Sequence, residues 1–559
     1  MTAWYSPPQL LRTGIRVAIS TVFGEFSDKR EAIAAGNPLD PSALDPAYRY
    51  SERAGPDGAF WIDYLADTGD GWDATYAMAR LLDGQTLNID GQTLPRGSVL
   101  VMGGDQVYPT ASADAYQARL REPFNAAARD VMNTHGDVYL LPGNHDWYDG
   151  LNAFIGIFCR RRPDAPLSPA RDGARLGDRS TQQTRSYFAL KLPGGWWLWG
   201  ADIQLSDFID QPQLDFFNHV AQNWMAPRPQ KVILCTGKPG WEYARAGKVD
   251  QSFAGYAHLE RIALTHGHQV PLTLSGDSHH YARYTEGARH YVTCGGGGAF
   301  THPTHHLPAR IEFEDRTTDP TSTNFMRSFV LANHQGAESL YPPRSTSFWA
   351  TFRNLGFAAL NWQFTLTLFA AFLLFDWAVF AGSGGLGLGS LAATIAADGL
   401  WKAAAAWHDW LPRIGPAPLV MLSLWGLAWV YFADARRWSA RIAIGSLHLV
   451  FHVAVLIAGT IAALSIDGLD LMLRVVIGAA LAALGSSTLM GVYLLVMLNG
   501  IHRHWNEAFS SLRLTSHKCF LRIAVHADGR LTLYAIGLRR LPKRGAEAAP
   551  ELIETVIID

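Results

Sequence analysis

Leu141-Pro142-Gly143-Asn144-His145-Asp146-Trp147-Tyr148 puts an amide, an imidazole and a carboxylate into one turn after an apolar run. Val138 to Leu141 reads as a buried strand that Pro142-Gly143 ends, so three chemically capable side chains emerge together at a strand's C-terminal edge. Open α/β sheets place their sites at that edge. One such turn is ordinary loop chemistry. Its weight comes from the rest of the chain.

Three other junctions repeat the pattern. Trp61 to Ala66 leads into Asp67-Thr68-Gly69-Asp70, Ser98 to Met102 into Gly103-Gly104-Asp105-Gln106-Val107-Tyr108, and Pro271 to Leu274 into Ser275-Gly276-Asp277-Ser278-His279-His280. Each apolar run delivers a carboxylate beside a glycine, the residue that permits close backbone approach. Carboxylates, an amide, imidazoles and a phenol brought from separate strands can together hold one or two hard or borderline metal ions.

In this order the motifs resemble those of the calcineurin-like metallophosphoesterases, over roughly residues 60 to 300 and in the variant similar to purple acid phosphatases. The resemblance implies a four-layer αββα sandwich. It implies Asp67, Asp105, Tyr108 and His279 as ligands of a first metal, and Asp105, Asn144 and Asp277 as ligands of a second. By the same resemblance His145 stands at the leaving group and Asp146 orients it. Asp70, one short turn after Asp67, is an alternative to it.

Two positions depart from the family pattern. A histidine normally follows the strand that this sequence carries at Lys231 to Thr236, and here Gly237 and Lys238 follow instead. Asp277 replaces the first histidine of the last motif. The second site is therefore expected to hold only oxygen donors, which favours magnesium or manganese over zinc. Lys238 is either a cation for a substrate phosphate or a solvated loop residue. His302, after the glycines Gly295 to Gly298, is a candidate substitute ligand.

The second half of the chain changes character. Leu355 to Phe380, Ala417 to Phe432, Ile442 to Ile466 and Leu471 to Leu498 are apolar runs of bilayer-spanning character, giving about four helices within residues 350–500. Gly382 to Ala406 reads as a partly amphipathic connection, with a fifth span or a re-entrant segment as the alternative. Arg436, Arg437 and Arg441 crowd the link between the second and third runs, and Asp467 and Asp470 follow the third, so the positive-inside rule sets both flanks of the region in the cytoplasm. His448 and His452 share one helical face, where hydrogen bonding to neighbouring helices is the simpler reading. Residues 501–559 contain two strand-like runs around Ala527-Asp528-Gly529-Arg530 and read as a small cytoplasmic β unit packing on the catalytic domain, residues 1–340.

Composition is consistent with this division. A formal net charge of −2 gives no reason to expect nucleic acid, and the 19 Trp and 27 Phe suit a protein with membrane interfaces. Cys159, Cys235, Cys294 and Cys519 form no zinc or redox spacing. The expectation is an integral membrane protein whose metal-dependent hydrolase domain, using Mn, Fe, Mg or Zn, attacks a phosphoester, lipid-linked or membrane-proximal, with metal-activated hydroxide. The alternative is a membrane receptor or scaffold whose altered phosphoesterase domain binds a phosphorylated ligand without cleaving it. The inner-membrane bilayer is the expected partner.

Overall fold

The four junction runs, together with the run at Lys231 to Thr236, form the parallel centres of two facing sheets. A computed structural model describes residues 1–23, 48–55, 57–130, 136–160, 175–203, 209–244, 251–315, 326–382, 416–435, 437–543 and 546–559, with isolated positions at 30, 31, 34, 44, 397 and 402. In the first sheet β1 (Ala59–Leu65), β2 (Val99–Met102) and β3 (Gly136–Leu140) run parallel. In the second, β4 (Trp196–Ala201), β5 (Lys231–Thr236) and β6 (Gln269–Ser275) run parallel to one another. There β7 (Tyr281–Glu286) pairs antiparallel with β8 (Arg289–Cys294), which itself lies parallel to β6.

Side chains alternate along these strands, and both faces of each sheet are buried, so the strands read as nearly continuous apolar runs. Phe60, Ile62, Tyr64 and Val101 meet Trp196, Leu198, Ile233, Leu272 and Val292 between the sheets. On the outer face of the first sheet, Trp61, Leu65, Leu100 and Val138 pack on Met78 and Leu82 of helix Trp72–Asp83 and on Phe124. On the outer face of the second, Trp197, Trp199, Val232 and Leu234 pack on Phe216 and Phe217 of helix Gln211–His219 and on Phe253 and Tyr256 of helix Gln251–Thr265. The layers are helix, sheet, sheet, helix.

The strands of the tail extend the first sheet. β9 (Lys518–His526) pairs antiparallel with β1, β10 (Leu531–Leu538) with β9, and β11 (Glu551–Ile558) with β10. Their alternation matches: Cys519, Leu521, Ile523 and Val525 enter the core between the sheets, and Phe520 and Ala524 the outer one. Residues 12–348 and 513–559, with the first two residues, thus make one compact unit. Arg522 and Asp63 close the seam as a fully buried pair, Nε to Oδ1 2.7 Å and Nη2 to Oδ2 3.2 Å, with Nη1 donating to the Leu94 carbonyl at 3.2 Å.

The second unit, residues 3–11 and 349–512, is helical. Three of its helices are long and apolar enough to cross a membrane, within Trp362–Gly382, Trp438–Leu464 and Leu471–Ile501; Pro416–Phe432, one of the four runs expected to span, is shorter at 17 residues. Leu355 and Gly356 fall in a 3₁₀ turn before the first of them, and the region Gly382 to Ala406 lies almost wholly outside the described residues. The helices approach through small residues, as membrane helices do when packing drives association. A Cβ on Gly459 would stand 2.9 Å from the backbone of Ala482 and of Gly478, and one on Gly445 would stand 2.5 Å from the Val430 nitrogen. Trp429 lies flat against His448 and His452, at centroid distances of 4.4 and 4.6 Å.

Candidate functional site

At the C-terminal edge of the parallel strands three carboxylates sit on strained backbone. Asp67 after β1, Asp105 after β2 and Asp277 after β6 have φ of +58°, +48° and +67°. Asp tolerates this left-handed region better than most residues, although it still costs free energy. Glycines make room for the carboxylates. A Cβ on Gly143 would stand 2.0 Å from Asp105 Oδ1, and one on Gly295 would stand 2.2 Å from Asp67 Oδ2.

Tyr108 joins the group. Its hydroxyl lies 3.0 Å from Asp67 Oδ1, 3.2 Å from Asp105 Oδ2 and 2.9 Å from His279 Nε2. The far nitrogen of His279, Nδ1, meets the Phe300 carbonyl at 2.8 Å, which fixes the proton on Nδ1 and leaves Nε2 a lone pair for the centre. His302 stacks on His279 with centroids 3.8 Å apart, and its Nδ1 accepts the His279 backbone N–H at 2.9 Å. His302 thus holds His279 in place.

The 141–148 turn supplies the other side. The His145 backbone N–H donates to Asp105 Oδ1 at 2.8 Å, and Asn144 Nδ2 donates to the Tyr148 hydroxyl at 3.2 Å. Asn144 Oδ1 is buried without a hydrogen-bond partner, as is Asp67 Oδ2. The imidazole of His145 is oriented by the Pro109 carbonyl, 2.7 Å from Nδ1. The Asp146 carboxylate accepts from Gly143 N at 2.8 Å, Gln106 N at 3.2 Å and the Tyr116 hydroxyl at 2.5 Å, and so braces the loop. Asp70 is likewise engaged elsewhere, accepting from Thr2 N at 2.9 Å and Phe300 N at 3.2 Å. Lys238 contributes its carbonyl to the turn, accepting from Gly240 N at 3.1 Å.

Two residues escaped the sequence reading. Tyr243, on the short helix after β5, donates its hydroxyl to Asp277 Oδ2 at 2.6 Å. Lys518, fully buried on β9, donates to the Ala299 carbonyl at 2.5 Å and to Thr301 Oγ1 at 3.3 Å, on either side of Phe300. Neither stands beside a local motif that would single it out.

The electrostatics are those of a site short of positive charge. Burial raises the Asp67 carboxyl well above the usual range, and Asp105 and Asp277 push it further. Burial does the same to Asp105, with Asp277 adding to it. Burial lowers His279 well below an ordinary imidazole and also lowers His145. Lys518, desolvated, is brought down to about 8 despite the pull of Asp70 and Asp67.

The donor set suits a cation. Atoms about 2.1 Å from one ion and at right angles to each other stand about 3 Å apart, the separation of the Tyr108 oxygen from its three neighbours. The unpartnered oxygens of Asp67 and Asn144 face the same need. Among the described residues no three His, Cys, Asp or Glu side chains by themselves stand in metal-holding array. The tyrosine oxygen is the member that links them.

Two sheets between helical layers, with carboxylates, an amide and imidazoles on the loops beyond the parallel strands, make a four-layer α/β sandwich with its candidate site at the strands' C-terminal edge. Residues 60–281 match the family described as calcineurin-like phosphoesterase. Among solved structures, GAP50, described as the anchor in the inner membrane complex of Plasmodium, aligns over 50% of this chain and 90% of its own. Its identity is 11% and its TM-score 0.32. PhoD aligns over 44% of this chain and 57% of its own, with 8% identity and a TM-score of 0.29. No curated protein matches the chain.

Proposed function

We propose that this protein is a membrane-anchored, metal-dependent phosphoesterase. The observation that carries the reading is the meeting of Asp67, Asp105 and His279 around the Tyr108 hydroxyl. Asp67, Asp105, Tyr108 and His279 would hold a first divalent or trivalent ion, and Asp105, Asn144 and Asp277 a second, harder one, magnesium or manganese. Such ions neutralise the ester's negative oxygens and make water a stronger nucleophile. The chain's own residues do the rest. His145, with Nδ1 fixed on the Pro109 carbonyl, presents Nε2 as the atom that carries a proton to the departing oxygen. Asp146 keeps the turn bearing Asn144 and His145 in one conformation.

The anchoring reading rests on chain order. Strands on both sides of the apolar helices belong to one sheet, β1 before them and β9 after, which supports an even number of crossings with both flanks on one side of a membrane. Among the described residues Pro416–Phe432 is the helix that would supply a fourth crossing beside the three longer ones, at the lower limit of spanning length. Arg437 at the start of the third helix and Arg441 in its first turn favour the cytoplasmic side for the catalytic body. A site held near the inner leaflet favours a lipid-linked or membrane-proximal phosphoester.

The departure at Gly237 favours a second reading, in which the domain binds a phosphorylated ligand without turnover. Metal analysis of the purified protein, with hydrolysis of generic mono- and diesters in added manganese, separates the two. The enzyme reading expects turnover that Asp105→Asn abolishes and that His145→Gln lowers about 10²–10⁴-fold. Manganese binding with no hydrolysis of either ester class would select the binding protein.

A further inference from the structure

Cys294 ends β8 in the second sheet, and Cys519 stands near the start of β9 in the first, 225 positions later, with the apolar helices between them. Their sulfurs lie 3.6 Å apart, and both side chains are fully buried in the core between the sheets. Glycine makes the room. A Cβ on Gly296 would stand 2.4 Å from Cys519 Sγ, and the Gly296 carbonyl accepts the Cys519 N–H at 3.0 Å. The pair marks the point where the tail meets the glycine loop, since Gly295 follows Cys294, and Lys518, before Cys519, donates to the Ala299 carbonyl and Thr301 Oγ1. A separation of 3.6 Å is a van der Waals contact, about 1.5 Å longer than a disulfide bond, and modest side-chain rotation closes such a gap. Cys159 lies in another core, and Cys235 in the same one.

We propose that Cys294 and Cys519 form a redox-modification site, a thiol pair that closes to a disulfide by exchange with a small-molecule disulfide and so locks β9 to β11 onto the body. In the first step the thiolate of one cysteine attacks a sulfur of oxidised glutathione, which forms a mixed disulfide and releases one glutathione thiolate. In the second, the thiolate of the other cysteine attacks the protein sulfur of that mixed disulfide and releases the second glutathione. Two protein thiols are oxidised, one glutathione disulfide is reduced to two thiols, and the two protein protons pass through solvent to the released glutathiones. Thiols buried in apolar surroundings stay protonated and inert, so the exchange proceeds through a local opening in which β9 lifts from β1. The bond then ties points 225 positions apart, and so removes much of the freedom of the unfolded chain. The ratio of oxidised to reduced glutathione sets the locked fraction. None of this depends on whether the domain turns over a phosphoester.

The test incubates the full-length protein in detergent with oxidised glutathione at about pH 8, with and without sub-denaturing urea. Alkylation in denaturant, digestion without reductant and mass spectrometry then map the sulfurs. The expected product is one cross-linked peptide pair, Cys294 with Cys519, which forms faster in urea and which dithiothreitol reverses, while Cys159 and Cys235 carry the alkylating group. The cross-linked form is expected to melt about 4–6 °C higher than the reduced one. Cys519→Ser and Cys294→Ala should each abolish both the cross-link and the shift, whereas Cys235→Ser should keep them. Thiols that stay free in urea, a mixed disulfide that does not resolve, a bond to Cys235, or a cross-linked form that melts no higher would each overturn the proposal. All four are read on the wild type, so a variant that fails to fold does not decide the matter.

Discussion

Arg522→Met tests whether the strands that follow the apolar helices are integral to the two-sheet body. Arg522 and Asp63 are each fully buried, and the guanidinium makes two bonds to the carboxylate and one to the Leu94 carbonyl. Its removal leaves Asp63 with the Gly97 N–H at 3.1 Å and the Arg179 guanidinium at 3.8 Å. Stripping one partner from a buried ion pair costs about 3–5 kcal/mol, and the remaining contact to Arg179 puts this case at about 3–4. The first unit has roughly 390 residues. At about 2.1 cal/mol/K per residue of unfolding entropy, that loss lowers its melting temperature by about 4–5 °C. Scanning fluorimetry in detergent, with tryptophan emission as the signal, gives the shift. Asp63→Asn should cost a comparable amount, and the double variant clearly less than the sum of the two, because it leaves no unpaired buried charge. A shift under 1 °C for Arg522→Met, or strictly additive singles, would refute the reasoning.

Three further outcomes are expected. Lys518 has its amine at about 8 in the folded chain against 10.5 for the ordinary group, so the folded state gives up this proton first. The unfolded state therefore binds more protons between those values, and stability rises with pH there by on the order of 3 kcal/mol, the burial penalty being complete below the lower value and gone above the upper one. Urea unfolding at pH 7.5, 9 and 10.5 should show the rise in the wild type and its loss in Lys518→Met; equal pH slopes in the two would contradict it. Asp105→Asn relieves a buried carboxylate that its neighbours repel, so in chelator the variant should melt higher than the wild type at pH 7. Added manganese should then stabilise the wild type alone; a variant that melts lower in chelator would disprove the charge argument. Gly445→Val drives methyl groups into the Val430 backbone, and should cost about 1–3 kcal/mol and yield a protease-sensitive membrane unit, whereas unchanged proteolysis would mean that the two helices do not touch there.

What the sequence made legible is what local chemistry encodes. Each of the junctions at Asp67, Asp105, Asn144 and Asp277 couples an apolar run to a glycine and a polar group within a few residues, and those short-range patterns define strand ends. Partners that are backbone carbonyls leave no such mark: nothing in the composition around Pro109 or Phe300 announces that they take the ring protons of His145 and His279. The pairing of β9 with β1 joins residues such as Arg522 and Asp63 that are 459 positions apart, and the tail's own alternation is equally compatible with a free-standing hairpin. Tyr243 lies at the end of a short helix beyond β5, where no local pattern ties it to Asp277, 34 positions further on. The apolar runs were evident, but their ends were not. Asn361 breaks the helix before Trp362, and its side chain donates to the Ser511 carbonyl at 3.2 Å.

β9, β10 and β11 also impose an order on biosynthesis. A ribosome delivers β1 to β8 first, then every apolar helix, and only afterwards the three strands that pair onto β1. Until then one edge of the first sheet is bare along Ala59–Leu65, and the inner faces of Phe60, Ile62 and Tyr64 lack their cover from Leu521, Ile523 and Val525. Lys518 is also absent from the loop that carries the Phe300 carbonyl. The candidate site is therefore assembled after the apolar helices have been made, and an intermediate released before that point has neither a finished sheet nor a finished site.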